Sequence, residues 1–188
     1  IARMGVRSIR LWDNDQVGEE NLETQCYRPI DVGKSKTNSL ALLIRQMGYR
    51  GEVLQKGRFE RSRNEALYPV VLCCADSMTT RQEVAEASLL NNVKLFMESR
   101  SAANEVFVHA FAPTRENVGH YLDNFFPRVT ENVACGETGT AAVGMQVASI
   151  VSSTIARTKA GQQISMFPNE HSISMGLYHT AKRFELDN

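Results

Sequence analysis

The chain has 188 residues, 43% of them apolar and 22% charged, which is ordinary for a water-facing globular protein with one sizeable core. Its 21 basic and 21 acidic residues cancel, so no global field recruits nucleic acid or a membrane surface. No apolar run is long enough to span a bilayer and no signal peptide is visible, so a cytoplasmic setting is expected; the four cysteines contain no C-x-x-C pair, so no structural zinc is expected.

The opening residues IARMGVRS read as the last turns of a helix ended by Gly5, so an upstream strand and turn are expected before Ile1. Ser8–Trp12 reads as a strand and runs into the acidic triplet Asp13-Asn14-Asp15. Residues 36–47 carry Leu40, Leu43, Ile44 and Met47 at i, i+3, i+4 and i+7, a helix with one buried stripe that ends at Gly48. Glu52–Lys56 is a short edge strand. The continuous apolar run 70–75 suits a parallel strand covered on both faces, with Cys73 and Cys74 as buried thiols.

Asp76 and Ser77 can cap a helix over Met78–Leu90. Residues 94–98 and Glu105–Phe111 read as strands, and 115–126 as a helix. Residues 140–158 are Ala-, Val- and Ile-rich nearly all round, which predicts a deeply buried helix; two short strands, one over 172–178, are expected after Gln163. This alternation argues for an α/β fold, a doubly wound and mostly parallel sheet with helices on both faces and antiparallel strands toward the C-terminus, in a single domain over residues 1–188.

Residues 11–36 hold the chemistry. A carboxylate at the carboxyl end of a parallel strand, as Asp13 is placed, is a usual holder of a nucleotide ribose, and Lys36, beyond the turn at Gly33, can reach phosphates as a point charge. Taken alone the triplet is also a common turn former. Asp76 follows the second apolar strand in the same way, with a plain cap as its bland alternative. If the two strands are neighbours, Asp13, Asp15, Lys36 and Asp76 converge on one crevice suited to Mg²⁺ and a polyphosphate.

The order D-x-D, then N-L, then D-V-G-x-x-K, then an apolar strand ending C-x-D resembles the ThiF/MoeB family, which includes the catalytic core of ubiquitin-activating enzymes. That resemblance implies a Rossmann-like adenylating fold, with ATP and Mg²⁺ as cofactors. It implies activation of the C-terminal carboxylate of a small ubiquitin-like or sulfur-carrier protein, in a homodimer. Residue by residue, Asp13 would hold the ribose with Asp15 supporting the pocket. Asn21 would line the phosphate site, Lys36 would contact the phosphates, and Asp76 would ligate the metal.

Cys135, in ACGETGTAAVG, stands where some members carry an acyl-accepting cysteine; a buried inert thiol is the equal alternative. The family reads N-L-x-R-Q after the acidic pair, with an arginine on the triphosphate. Here Thr24 takes that place, and Arg28 four residues on is the candidate substitute. The family's G-x-G-G-x-G loop is absent and is expected upstream of Ile1.

Some members also place an acid-x-arginine pair near residues 97–102, whose bland reading is a solvated turn. Tyr121, Phe125 and Phe126 offer either a partner surface or core, and the four histidines show no ligand spacing. Two other readings stand beside the enzyme: a catalytically weakened scaffold or regulatory subunit, which Thr24 would permit, and an NAD-dependent Rossmann enzyme, which needs neither Lys36 nor Asp76.

Overall fold

In the computed structural model, residues 1–61, 66–102, 105–126 and 141–161 are described. They fall into two compact units, Ile1–Glu60 and Arg61–Asn188. Cys135, the strands expected after Gln163, His171 and His179 lie outside the described residues.

The first unit opens with a 3-10 turn, Ala2–Met4, closed by Gly5 at φ 73°. Strand β1 (Ser8–Trp12) and strand β2 (Glu52–Lys56) pair in parallel, Ser8 opposite Glu52 through Trp12 opposite Lys56. Between them lie a short helix α1 (Asn21–Thr24), a 3-10 turn over Pro29–Asp31 and helix α2 (Lys36–Gln46). The predicted strands and helix are all present here. The buried face of α2 differs from the expected stripe: Thr37, Ala41 and Ile44 are buried, Leu40 and Leu43 only partly, and Met47 is 46% exposed. Small residues on that face bring the helix close to the two strands, where Ala41, Ile44 and Val53 form a core flanked by Ile9, Leu11, Leu40 and Tyr49. Gly48, at φ 89°, ends the helix in the left-handed conformation that only glycine adopts freely.

The second unit contains β3 (Val70–Cys73), α3 (Met78–Leu90), β4 (Leu95–Ala102), β5 (Glu105–Phe111), α4 (Arg115–Phe125) and α5 (Ala141–Lys159). Strand β4 is central, parallel to β3 with Cys73 opposite Glu98, and antiparallel to β5 with Glu98 opposite His109. Strand β3 is less covered than predicted. Val70 at its start is 40% exposed, Cys73 is buried with its thiol pushed up to about 11 by burial, and Cys74, just past its end, is exposed.

The period of two along β4 sends alternate side chains to opposite faces. Leu95 and Met97 meet Val147, Val151 and Ile155 of α5, together with Val108 and Ala110. Helix α5 is buried on this side only, with Met145 68% exposed, so its apolar circumference overstated its burial. On the opposite face Phe96, Phe111 and Tyr121 pack ring against ring, with centroids 5.0 to 5.8 Å apart. Tyr121 is fully buried and belongs to the core rather than to a partner surface.

Glu98 shares that face and is also fully buried. It pairs with the guanidinium groups of Arg81 and Arg100, and the Tyr121 hydroxyl donates to its Oε2 at 2.8 Å. Arg81 also donates to the Ser99 carbonyl (2.9 Å) and Arg100 to the Phe125 carbonyl (2.7 Å). The predicted solvated turn is therefore part of a buried ionic network in a strand. Removing its carboxylate leaves two guanidinium groups uncompensated among the described residues, so Glu98→Ala should lower unfolding stability by about 3–5 kcal/mol, as measured by urea denaturation.

His109 faces this network from β5. Its ring lies 4.3 Å from that of Phe125, and burial holds its pKa below the usual value. The sign follows. Above about pH 6.5 the imidazole is neutral in both states. As the pH falls below that value the unfolded chain takes up a proton that the folded chain refuses, so stability is lost until the folded pKa is reached. Urea denaturation between pH 5 and pH 8 should show a shallower acid-side loss in His109→Gln than in the wild type.

Candidate functional site

The acidic triplet and the Gly33-Lys34-Ser35-Lys36 segment meet through backbone pairing. The Val17 amide donates to the Lys34 carbonyl (2.8 Å), the Gly33 amide to the Val17 carbonyl (2.9 Å) and the Lys36 amide to the Asp15 carbonyl (3.0 Å), around an antiparallel bridge between Gln16 and Ser35. Asp13, half-buried, follows the last residue of β1, and its amide donates to Lys56 of β2 (3.4 Å). Its Oδ1 accepts from the Asp15 amide at 2.8 Å. The Asp15 carboxylate in turn accepts from Lys36 Nζ at 3.0 Å. The strand-end carboxylate, the second acid and the lysine predicted from sequence thus form one continuous chain of contacts.

Ser35 caps α2, its Oγ accepting from the Asn38 amide (3.4 Å), so Lys36 begins the helix with its own backbone fixed. Tyr27, which had no spacing to mark it, fixes the same residue from the other side: its hydroxyl donates to the Lys36 carbonyl at 3.4 Å. Burial, with the nearby Asp13 carboxylate next, pushes that phenol up to about 12. Gly33 supplies the turn at φ 79° with no neighbour to meet a Cβ there, so strain alone opposes substitution. Gly33→Ala should lower thermal-unfolding stability by about 1–2 kcal/mol.

Asn21 and Arg28 have local tasks. Asn21 is buried and its Oδ1 accepts from the Gly18 amide at 3.0 Å, holding the loop before α1. Arg28 presents its fork to Asp31, Nε to Oδ2 at 2.9 Å and Nη2 to Oδ1 at 3.1 Å, while Nη1 donates to Gln46 Oε1 at 2.8 Å. This pair holds the Asp31 carboxyl below its usual range. Arg28 would have to leave Asp31 to meet a phosphate. Thr24, at the end of α1, directs its hydroxyl to the Glu20 carbonyl (3.5 Å).

In the second unit Asp76 follows the carboxyl end of β3 and is exposed. It is not the helix cap: Ser77 Oγ accepts from the Thr80 amide at 3.3 Å. The bland role weighed for Asp76 therefore belongs to its neighbour. Among the described residues the strand pairings are β1 with β2, β3 with β4 and β4 with β5; the pairing of β1 with β3, which the common crevice needs, is not among them. No group of three His, Cys, Asp or Glu side chains able to hold a metal occurs among the described residues. A single exposed carboxylate suits Mg²⁺ that arrives with a polyphosphate, since that ion keeps several waters and takes one or two protein carboxylates. No helix among the described residues is long and apolar enough to cross a membrane.

The ThiF family model matches residues 1–182. The chain belongs to the ThiF family. Its fold is that of several solved structures. One of E. coli MccB with ATP matches at a TM-score of 0.60 and 18% identity, over 88% of this chain and 52% of that one. One of the microcin C7 biosynthetic enzyme MccB in complex with N-formylated MccA matches at 0.66 and 17%, over 88% and 54%. PaaA matches at 0.58 and 21%, over 85% and 58%. The ThiF chain here thus spans little more than half the length of these structural relatives. No curated protein matches its sequence.

Proposed function

We propose that this ThiF-family chain takes part in ATP-dependent adenylation of a C-terminal carboxylate, that of a peptide or of a small ubiquitin-like or sulfur-carrier protein. The observation that carries the reading is the contact chain from Asp13 at the end of β1, through Asp15, to Lys36 at the start of α2. A carboxylate for a ribose and an ammonium for phosphates are held there on one rigid turn. The solved structure of MccB with ATP supports the same ligand class.

In this reading Asp13 accepts hydrogen bonds from the ribose hydroxyls. Lys36 offsets charge that builds on the departing pyrophosphate. Asn21 keeps the loop between them in shape, and Asp76 would ligate the Mg²⁺ that neutralises the polyphosphate. No protein nucleophile is needed to form the acyl-adenylate; Cys135 would act only in a later thioester transfer. One adenylation domain over residues 1–188, a homodimeric assembly and a cytoplasmic setting belong to the same proposal.

A second reading has its own observation. Thr24 stands at the family's arginine position, and the fork of Arg28 is committed to Asp31 and Gln46. A chain so arranged could serve as a dimerising scaffold with weakened chemistry.

Pyrophosphate exchange into ATP, measured with the full-length protein and candidate peptides or carriers, separates the two. Exchange abolished by Asp76→Ala and raised about tenfold or more by Thr24→Arg supports the enzyme. In direct titration Lys36→Met should weaken ATP binding about 10- to 100-fold. ATP binding and self-association without exchange would favour the scaffold. Exchange that survives Asp76→Ala would remove Asp76 from the metal site.

A further inference from the structure

The Asp15–Lys36 pair is lopsided. The Lys36 side chain is 16% exposed and the Asp15 side chain 59%. Both backbones are pinned: the Asp15 amide donates to Asp13 Oδ1, the Lys36 amide donates to the Asp15 carbonyl, and the Lys36 carbonyl accepts from Tyr27. Only side-chain torsions remain to either residue. Among the described residues, Asp15 is the hydrogen-bonding and ionic partner of the Lys36 ammonium.

We propose that Asp15 is the resting counterion of Lys36, and that an incoming polyphosphate must take the ammonium from it. The inference rests on the nucleotide-binding reading above and adds a gate to it. An ion pair with one end this exposed is weak, so the exchange is easy in energy. Its consequence is selective. Asp15 cannot withdraw its backbone, so its carboxylate stays beside any phosphates that Lys36 engages and repels them. A nucleotide without Mg²⁺ carries more negative charge than its Mg²⁺ complex and is repelled more. Asp15 would then act as a discriminator between the two, at a position that otherwise looks like simple support for the ribose-binding acid.

Two measurements on the full chain test this. In the first, the ligand-free protein is labelled briefly with acetic anhydride and modification of each lysine is quantified by mass spectrometry. Asp15→Asn should raise labelling of Lys36 about two- to fivefold relative to Lys94, as expected when an exposed pair is broken. In the second, ATP is titrated in Mg²⁺ and in EDTA. Asp15→Asn should tighten both forms, the Mg²⁺-free form more, with the difference shrinking at high salt.

Unchanged Lys36 labelling alongside normal ATP binding would overturn the counterion role alone. Weaker ATP binding by Asp15→Asn in both buffers would overturn the gate and make Asp15 a positioning residue. Raised labelling in a protein that binds no ATP, as wild type or variant, would overturn the nucleotide reading and the gate with it while leaving the pair itself intact.

Discussion

The second unit depends on a carboxylate that has no access to water. Glu98 lies on the central strand of its sheet, and moving an ionised carboxylate into that interior is unfavourable unless donors surround it. Three elements supply what it needs: Arg81 from α3, Arg100 from the same strand and Tyr121 from α4, while His109 faces it from β5. Each donor is also tied elsewhere, Arg81 to a strand carbonyl and Arg100 to the end of α4. The network therefore fixes where α3 and α4 sit on the sheet in a way that the aromatic cluster alone would not, because ring packing tolerates sliding and directed hydrogen bonds do not. Such a network adds specificity of packing rather than net stability, since its Coulombic gain mainly offsets its desolvation.

The first unit uses the same pairing of unlike charges with the opposite exposure. Asp15 and Lys36 meet at an ordinary 3.0 Å, but one partner stands largely in water. The pair is consequently weak and exchangeable, while the backbone around it is rigid, held by the amide contacts of residues 13–17 with 33–36 and by the Tyr27 hydroxyl. A fixed frame with a loose charge is what a ligand site requires. In the proposed site, movement costs only a side-chain torsion, and a nucleotide would meet a pre-positioned helix start rather than a loop it must order. Burial, more than residue type, separates the Glu98 network from the Asp15–Lys36 pair.

Much of the fold was legible because periodicity and punctuation report local structure directly. All five described strands and the four longer helices lie where the sequence placed an element, although β4 runs on to Ala102 through the segment read as a solvated turn. What failed was burial. Leu43 and Met47 belong to an apolar stripe, yet α2 buries Thr37 and Ala41 instead, because small side chains allow closer approach to the sheet. Residues 140–158 are apolar all round, yet α5 meets the sheet on one side. Composition reports what a side chain prefers, and packing decides which preferences are met. The site divides in the same manner. Asp13, Asp15 and Lys36 were visible as types at strand and helix ends. Tyr27 was not, since a tyrosine in a loop carries no spacing that announces a half-buried hydroxyl, and in the second unit Arg81 of the Glu98 network was equally silent.

The strength of the enzymatic reading turns on one guanidinium. Arg28 is the nearest candidate in sequence to replace the arginine missing at Thr24, but a bidentate fork on a carboxylate is among the stronger surface pairings, and here Gln46 holds the third nitrogen. A phosphate would have to displace Asp31, which is itself buried and receives the Arg28 amide as well. Breaking that pair would leave a buried carboxylate short of its main donor. Arg28 therefore contributes most where it is, closing the 3-10 turn that leads into the Gly33 loop and so helping to present Lys36. In the proposed site, the cation placed to meet a leaving pyrophosphate is then Lys36, the lysine that Asp15 holds in an ion pair.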